Sequence, residues 1–200
     1  MKKRYTLTFS ALFLFIMGIS LMGCRSKAEE APIADEEEND TTVVNTTYFM
    51  AIDDYLTNVI GKQYSQGDVC IPCIMTVAVD ESNADDILVW GDFWVFNYQV
   101  IGDLLRTVSG GGHPGLMHVR QTDNTFEVTR FEGVEDGSRY MESAKRIFGE
   151  KYNDFNRINS DGEKREAIRK DIIAQYVKDH RLPVLRYQDN GWPAINLPKK

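Results

Sequence analysis

The sequence predicts an α+β fold: an N-terminal helix packed on a curved antiparallel sheet of about five strands, followed by C-terminal helices. Three observations predict it. Residues 48–60 repeat apolar side chains at helical spacing. Residues 74–131 are dense in β-branched and aromatic side chains punctuated by turn sequences, and beyond residue 138 the apolar period becomes helical again.

Residues 1–23 read as a bacterial export signal. Lys2, Lys3 and Arg4 form a basic start, residues 7–22 an apolar core, and no acid precedes Glu29. The end of that core, Leu21-Met22-Gly23-Cys24, resembles the lipobox of bacterial lipoproteins, in which the cysteine becomes the acylated first residue of the mature chain. Met22 departs from the small or β-branched residue usual at that place. The resemblance implies lipidation of Cys24 and a protein tethered to the outer membrane or cell surface. Each buried CH₂ of the acyl chains contributes about 0.8 kcal/mol, so the anchor is permanent.

Residues 24–44 then form a tether. Between Arg25 and Thr42 it holds seven acids and two bases with almost nothing apolar, so burial cannot offset the entropy of ordering it. Acids directly after a lipidated cysteine are similar to the surface-export signals of Bacteroidetes lipoproteins, and Asp40-Thr41-Thr42 is similar to the O-glycosylation sequon of that group. A plain solvated spacer is the other reading. The whole chain carries −7; without the three bases of the signal it carries −10, of which the tether holds −5 and the remainder −5. An acidic domain offers phosphate backbones no electrostatic footprint, which excludes nucleic-acid binding.

Residues 45–200 are expected to form a single domain. Phe49, Ile52, Leu56, Val59 and Ile60 place a helix over 48–60, with Thr46 or Thr47 as its cap and Gly61 as its stop. A strand follows over 74–80. Residues 87–100 form the central strand, with Trp90, Trp94, Phe96 and Tyr98 on one parity and Phe93 and Val95 on the other, so both its faces are expected to be covered unless a bulge at Gly91 changes the parity. Strands over 104–109, 116–121 and 126–131 complete a meander, with Gly110 to Gly115 as a loop. Further on, Met141, Ala144, Ile147 and Phe148 mark one helix, and Ile168, Ile172, Ile173, Tyr176 and Val177 another that opens with capping-box spacing at Ser160-Asp161-Gly162-Glu163. Residues 184–187 add an edge strand. The element order resembles the curved-sheet rolls of the cystatin-like and nuclear-transport-factor-like superfamilies, although Gln99-Val100-Ile101-Gly102 only approximates the inhibitory loop of cystatins.

Several residues are candidates for chemistry. In an exported chain Cys70 and Cys73 favour a disulfide. Their Cys-x-Pro-Cys spacing also resembles the thioredoxin active site, but Val69 replaces the usual preceding Trp and no βαβ pattern surrounds it. A third reading joins the two thiols to His113 and His118 as zinc ligands. His180 is placed to cap a helix C-terminus. The Gly110 to Gly115 loop is either a mobile hairpin tip or the rim of a ligand site with His113. The run from Asp80 to Asp86 is either a solvated loop or a source of oxygens for calcium, without the EF-hand order. Asp92 lies between Trp90 and Trp94, where desolvation would raise its pKa. If His118 or Arg130 reaches it, the pair resembles the acid-base groups of ketosteroid-isomerase-like enzymes. Otherwise Asp92 turns outward or pairs structurally with an arginine.

The expected function is a lipid-anchored binding module for a small-molecule, glycan or protein ligand, with Trp90, Trp94, His113 and Arg130 as candidate contacts and no implied cofactor or metal. A pocket enzyme using Asp92 and His118 and a redox protein using Cys70 and Cys73 are the alternatives.

Overall fold

The computed structural model describes residues 47–199, so the export signal, Cys24 and the acidic tether lie outside the described residues. The fold is α+β, with a curled mixed sheet between two helical layers. Helix α1 (Tyr48–Tyr55) runs through a wider π turn, Leu56–Ile60, into a tight turn at Gly61–Gln63. Four long strands follow: β1 (Val69–Asp80), β2 (Ile87–Ile101), β3 (Leu104–Thr122) and β4 (Thr125–Gly133), each antiparallel to the one before. Then come α2 (Tyr140–Phe148), α3 (Tyr152–Ser160), α4 (Gly162–Asp179) and two short strands, β5 (Arg186–Gln188) and β6 (Ile195–Asn196).

The sheet is not purely antiparallel, because the outer edge of β3 is shared. Residues 115–122 pair with β4, while residues 104–106 pair with β5 in parallel. Strand β2 keeps one parity throughout, with no bulge at Gly91. Ile87, Val89, Phe93 and Val95 face α1 and pack on Ile52, Leu56 and Ile60. Trp90, Phe96 and Tyr98 face the C-terminal helices, against Ala144, Ile147, Phe148, Phe155, Ile173 and Val177. A fully buried side chain such as Phe93 contributes about 1.5–3 kcal/mol, so coverage of both faces makes β2 the spine of the core.

The expected glycine loop is instead the middle of β3. Phe96 pairs with Gly110, Val95 with Gly111 and Trp94 with Gly112. A side chain at these positions would run into neighbouring backbone and aromatic side-chain atoms. A Cβ at Gly110 would stand 2.2 Å from the Val95 carbonyl oxygen and 2.6 Å from the Phe96 ring; at Gly111 it would stand 2.9 Å from the Tyr64 hydroxyl. Val108 is an extra, bulged residue, since Thr107 pairs with Tyr98 and Ser109 with Asn97.

Other boundaries differ for similar reasons. Gly61 does not stop the first helix; it stays right-handed and lets the turn approach Cys70, whose sulfur lies 2.7 Å from where its Cβ would be. Strand β1 starts at Val69 and takes in Pro72, which an edge strand tolerates. The cap of α4 is Asp161 rather than Ser160: its Oδ1 accepts from the Lys164 backbone N–H at 3.0 Å.

Helix α4 is fixed on the sheet by Arg169, whose side chain is 4 % exposed. Its guanidinium donates to Asp189 through two 2.8 Å bonds and to the Tyr98 hydroxyl at 2.9 and 3.2 Å, and its carbon lies 4.0 Å from the centre of the Phe96 ring.

Two stability predictions follow from these contacts. Gly110 adopts φ +146° with no room for a side chain, so Gly110→Ala should cost roughly 2–4 kcal/mol in urea unfolding. Gly162→Ala, with nothing near its Cβ position, should change stability by less than about 1 kcal/mol. Arg169→Met should cost about 3–5 kcal/mol because Asp189 and Tyr98 lose their partner. Arg169→Lys should not restore it, since an ammonium cannot make the forked contact; recovery with Lys would show that charge alone matters.

Candidate functional site

Apart from the cluster around Arg169, three polar constellations bear on function among the described residues, and they are separate. The first surrounds Asp92, which is 1 % exposed on the helix-covered face of β2. Neither His118 nor Arg130 reaches it. Its partner is Arg165 of α4, with Nη2 at 3.1 Å from Oδ2, and the same guanidinium lies 4.4 Å from the centre of the Trp94 ring. That ion-pair distance does not come with hydrogen-bond angles: both Asp92 oxygens, Trp94 Nε1 and Arg165 Nε lack a well-formed partner. Burial pushes the Asp92 carboxyl above its usual range, and Arg165 and the nearby Trp94 N–H oppose that shift.

The second constellation surrounds His118. It pairs across the strands with Leu88, four residues along β2 from Asp92, a separation of about 13 Å. The expected Asp92–His118 acid-base pair is therefore not formed, even though both residues share a face. His118 Nδ1 lies 2.8 Å from Asp86 Oδ1, while Nε2 is met by Arg130 Nη2 at 2.8 Å and Glu132 Oε1 at 3.1 Å. A neutral ring donates to Asp86 and accepts from Arg130; a protonated ring donates to both carboxylates. Both nitrogens are thus engaged within the protein.

Other sequence candidates make contacts within the protein. The Trp90 indole donates to the Ile147 carbonyl at 3.0 Å and is covered by Lys151 Nζ, 4.1 Å from the ring centre. His113 hydrogen-bonds the Tyr64 hydroxyl at 2.9 Å, and burial lowers its pKa, so it serves as a neutral clasp. His180 Nδ1 donates to the Tyr176 carbonyl at 2.9 Å in the expected capping position.

Cys70 and Cys73 are both free, which corrects the expected disulfide. Residues three apart in a strand point to opposite faces, with Cα atoms about 10 Å apart, beyond any disulfide's reach. Cys70 lies under Gly61 on the α1 face, and Cys73 faces the helices, where burial pushes its thiol up to about 12. Burial disfavours the Cys73 thiolate that thiol exchange would use, and the two thiols lie along a strand, not at the start of a helix as in the thioredoxin-like arrangement. The zinc and calcium readings also lack an assembled donor set: among the described residues no three His, Cys, Asp or Glu side chains are grouped to hold a metal. In the Asp80–Asp86 run, the Asp80 and Asn83 side chains accept from the backbone N–H groups of Ser82 and Asp85.

The third constellation was not anticipated. A cleft of about 470 Å³ opens where α1 and α4 overhang the edge strand β1, lined by Asp53, Cys70, Pro72, Tyr176, Asp179 and His180 among others. The Tyr176 and His180 rings stack at 3.9 Å and form an aromatic wall. Asp53 reaches solvent, yet partial burial and neighbouring Asp54 raise its pKa, with His180 opposing. A shallower depression of about 530 Å³ continues along α1 past Phe49, Met50 and Asp54, sharing Asp53 and Thr57. No lysine or arginine lines either hollow. Carboxylates, an aromatic stack and the amide of Gln175 suit cationic or hydroxyl-rich ligands and disfavour anions.

No family model matches this sequence, and neither the curated proteins nor the solved structures yield a match.

The thiol geometry is directly testable. Counting thiols in a Cys24→Ala chain with an aromatic disulfide reagent should give two after unfolding without reductant, and in the native state Cys70 should react before Cys73. A count of zero after unfolding would mean that the two sulfurs are bonded.

Proposed function

We propose that this chain is a lipid-anchored extracytoplasmic binding module whose ligand sits in the cleft between α1 and α4. The anchor rests on the Lys2-Lys3-Arg4 start, the apolar core and the lipobox-like ending at Cys24. The binding reading rests on the cleft, where an aromatic stack meets the Asp53 and Asp179 carboxylates at a surface that, among the described residues, no lysine or arginine lines. The catalytic alternatives draw no comparable support: Asp92 and His118 are four residues apart along the strands, and Cys70 and Cys73 are on opposite faces.

The ligand chemistry follows from the lining. Asp53 and Asp179 favour an amine or guanidinium, or accept hydroxyls from a glycan, while Tyr176 and His180 offer a flat apolar wall for a sugar face or an alkyl stem.

Two measurements test the two halves. In the producing cell, Cys24→Ala should move the protein from the membrane to the soluble fraction; continued membrane retention after signal cleavage rules out lipidation. Against a panel of amines, sugars and anions, NMR shifts should cluster at Asp53, Tyr176 and His180 for amines or sugars, and Tyr176→Ala should weaken binding at least about tenfold, roughly 1.4 kcal/mol. Shifts confined to anions or to residues outside the cleft would refute the site.

A further inference from the structure

Under α4, four polar atoms have no well-angled hydrogen-bond partner among the described residues, although the Trp94 N–H and the Arg165 guanidinium both lie close to Asp92: Asp92 Oδ1, Asp92 Oδ2, Trp94 Nε1 and Arg165 Nε. All four are shielded from solvent, and buried polar atoms in a stable fold are as a rule satisfied. The contrast within α4 is sharp. Arg169, one turn further on, spends its fork on Asp189 and Tyr98, whereas Arg165 Nε points at no protein acceptor.

The four atoms have a specific composition. Two are N–H donors, the indole of Trp94 and the Nε of Arg165. Two are acceptors, the oxygens of the Asp92 carboxylate. Their complement is a group with two protons and two lone pairs on one centre. Gly112, which pairs with Trp94, borders the same atoms: a Cβ there would stand 2.9 Å from Trp94 Nε1 and 3.5 Å from Asp92 Oδ1, so a side chain at this position would press on both.

We propose that Asp92, Trp94 and Arg165 form a binding site for one water molecule, held as an integral part of the fold. The water accepts from Trp94 Nε1–H and Arg165 Nε–H and gives its protons to the Asp92 carboxylate. Other single-centre occupants fail on the same count. A metal cation or ammonium offers no lone pair to the two donors, a halide offers no proton to the carboxylate, and an alcohol hydroxyl has one proton where two acceptors wait. The water completes the link between α4 and β2 that the 3.1 Å ion pair begins.

A crystal structure of the purified protein, at a resolution that shows ordered water, should contain one density peak within hydrogen-bond distance of Trp94 Nε1, Arg165 Nε and Asp92. Water relaxation dispersion should count one fewer long-lived molecule in Trp94→Phe, which keeps a ring but removes the donor. Direct, well-angled bonds from Trp94 and Arg165 to Asp92 with no peak between them would overturn the proposal. So would an unchanged dispersion amplitude in a folded Trp94→Phe, or density for a larger molecule. Where Trp94→Phe fails to fold, the wild-type structure alone decides.

Discussion

The arrangement of this fold depends on one buried cation. Hydrophobic contact brings α4 to the sheet but is non-directional, and it would accept the helix at many rotations. Arg169 removes that freedom. Its forked bonds to Asp189, its two bonds to the Tyr98 hydroxyl and its stacking on Phe96 each require a particular angle, and together they join α4, β2 and the turn after β5. Thr107 of β3 adds a 2.6 Å bond to Asp189, and the Tyr187 hydroxyl of β5 donates to Glu166 one turn back on α4. A guanidinium taken from water costs several kcal/mol unless it is met on all sides, so the position is stable only when these elements are assembled together.

The same logic extends along the helix-covered face of β2. Lys151, Arg165 and Arg169 each stand over one aromatic of that strand, at Trp90, Trp94 and Phe96, with Asp92 between the first two. Strand parity sets Trp94 and Phe96 two residues apart, and helical periodicity sets the two arginines above them four apart, so the repeats coincide along α4. The cations are thereby spent on the core, which leaves the surface beyond β1 acidic.

Much of this was legible in the sequence, and the failures share a cause. The α+β class and the two-sided burial of β2 follow from periodicity, a local property that Trp90, Phe93, Val95 and Tyr98 display within one strand. The glycines at 110–112 were misread because they look like a loop by composition, whereas their reason lies in rings from other segments that cross over them. Cys70 and Cys73 were paired from spacing and compartment; had β1 been extended back to Val69, strand parity would have put them on opposite faces. Arg169 stands next to Ile168 and reads as an ordinary charged helix position, since its partners at 98, 107 and 189 are dispersed through the chain.

The cleft was illegible for the same reason, and its place in the fold follows from the end of the sheet. Among the described residues β1 pairs only with β2, so along its other edge α1 on one face and α4 on the other overhang a strand that no further described strand covers. Such an edge ordinarily invites another strand to add. Pro72 sits within it and removes a backbone donor, and Tyr176 and His180 crowd it from the side of α4. An edge so blunted presents side chains rather than a backbone ladder, and the side chains it presents are Asp53 from α1, Thr57 from the π turn after it, Cys70 from β1, and Gln175 and Asp179 from α4. Recognition there has to proceed through carboxylates, amide and ring faces, which is the chemistry of a discrete ligand with polar groups of its own and not that of an added β-strand.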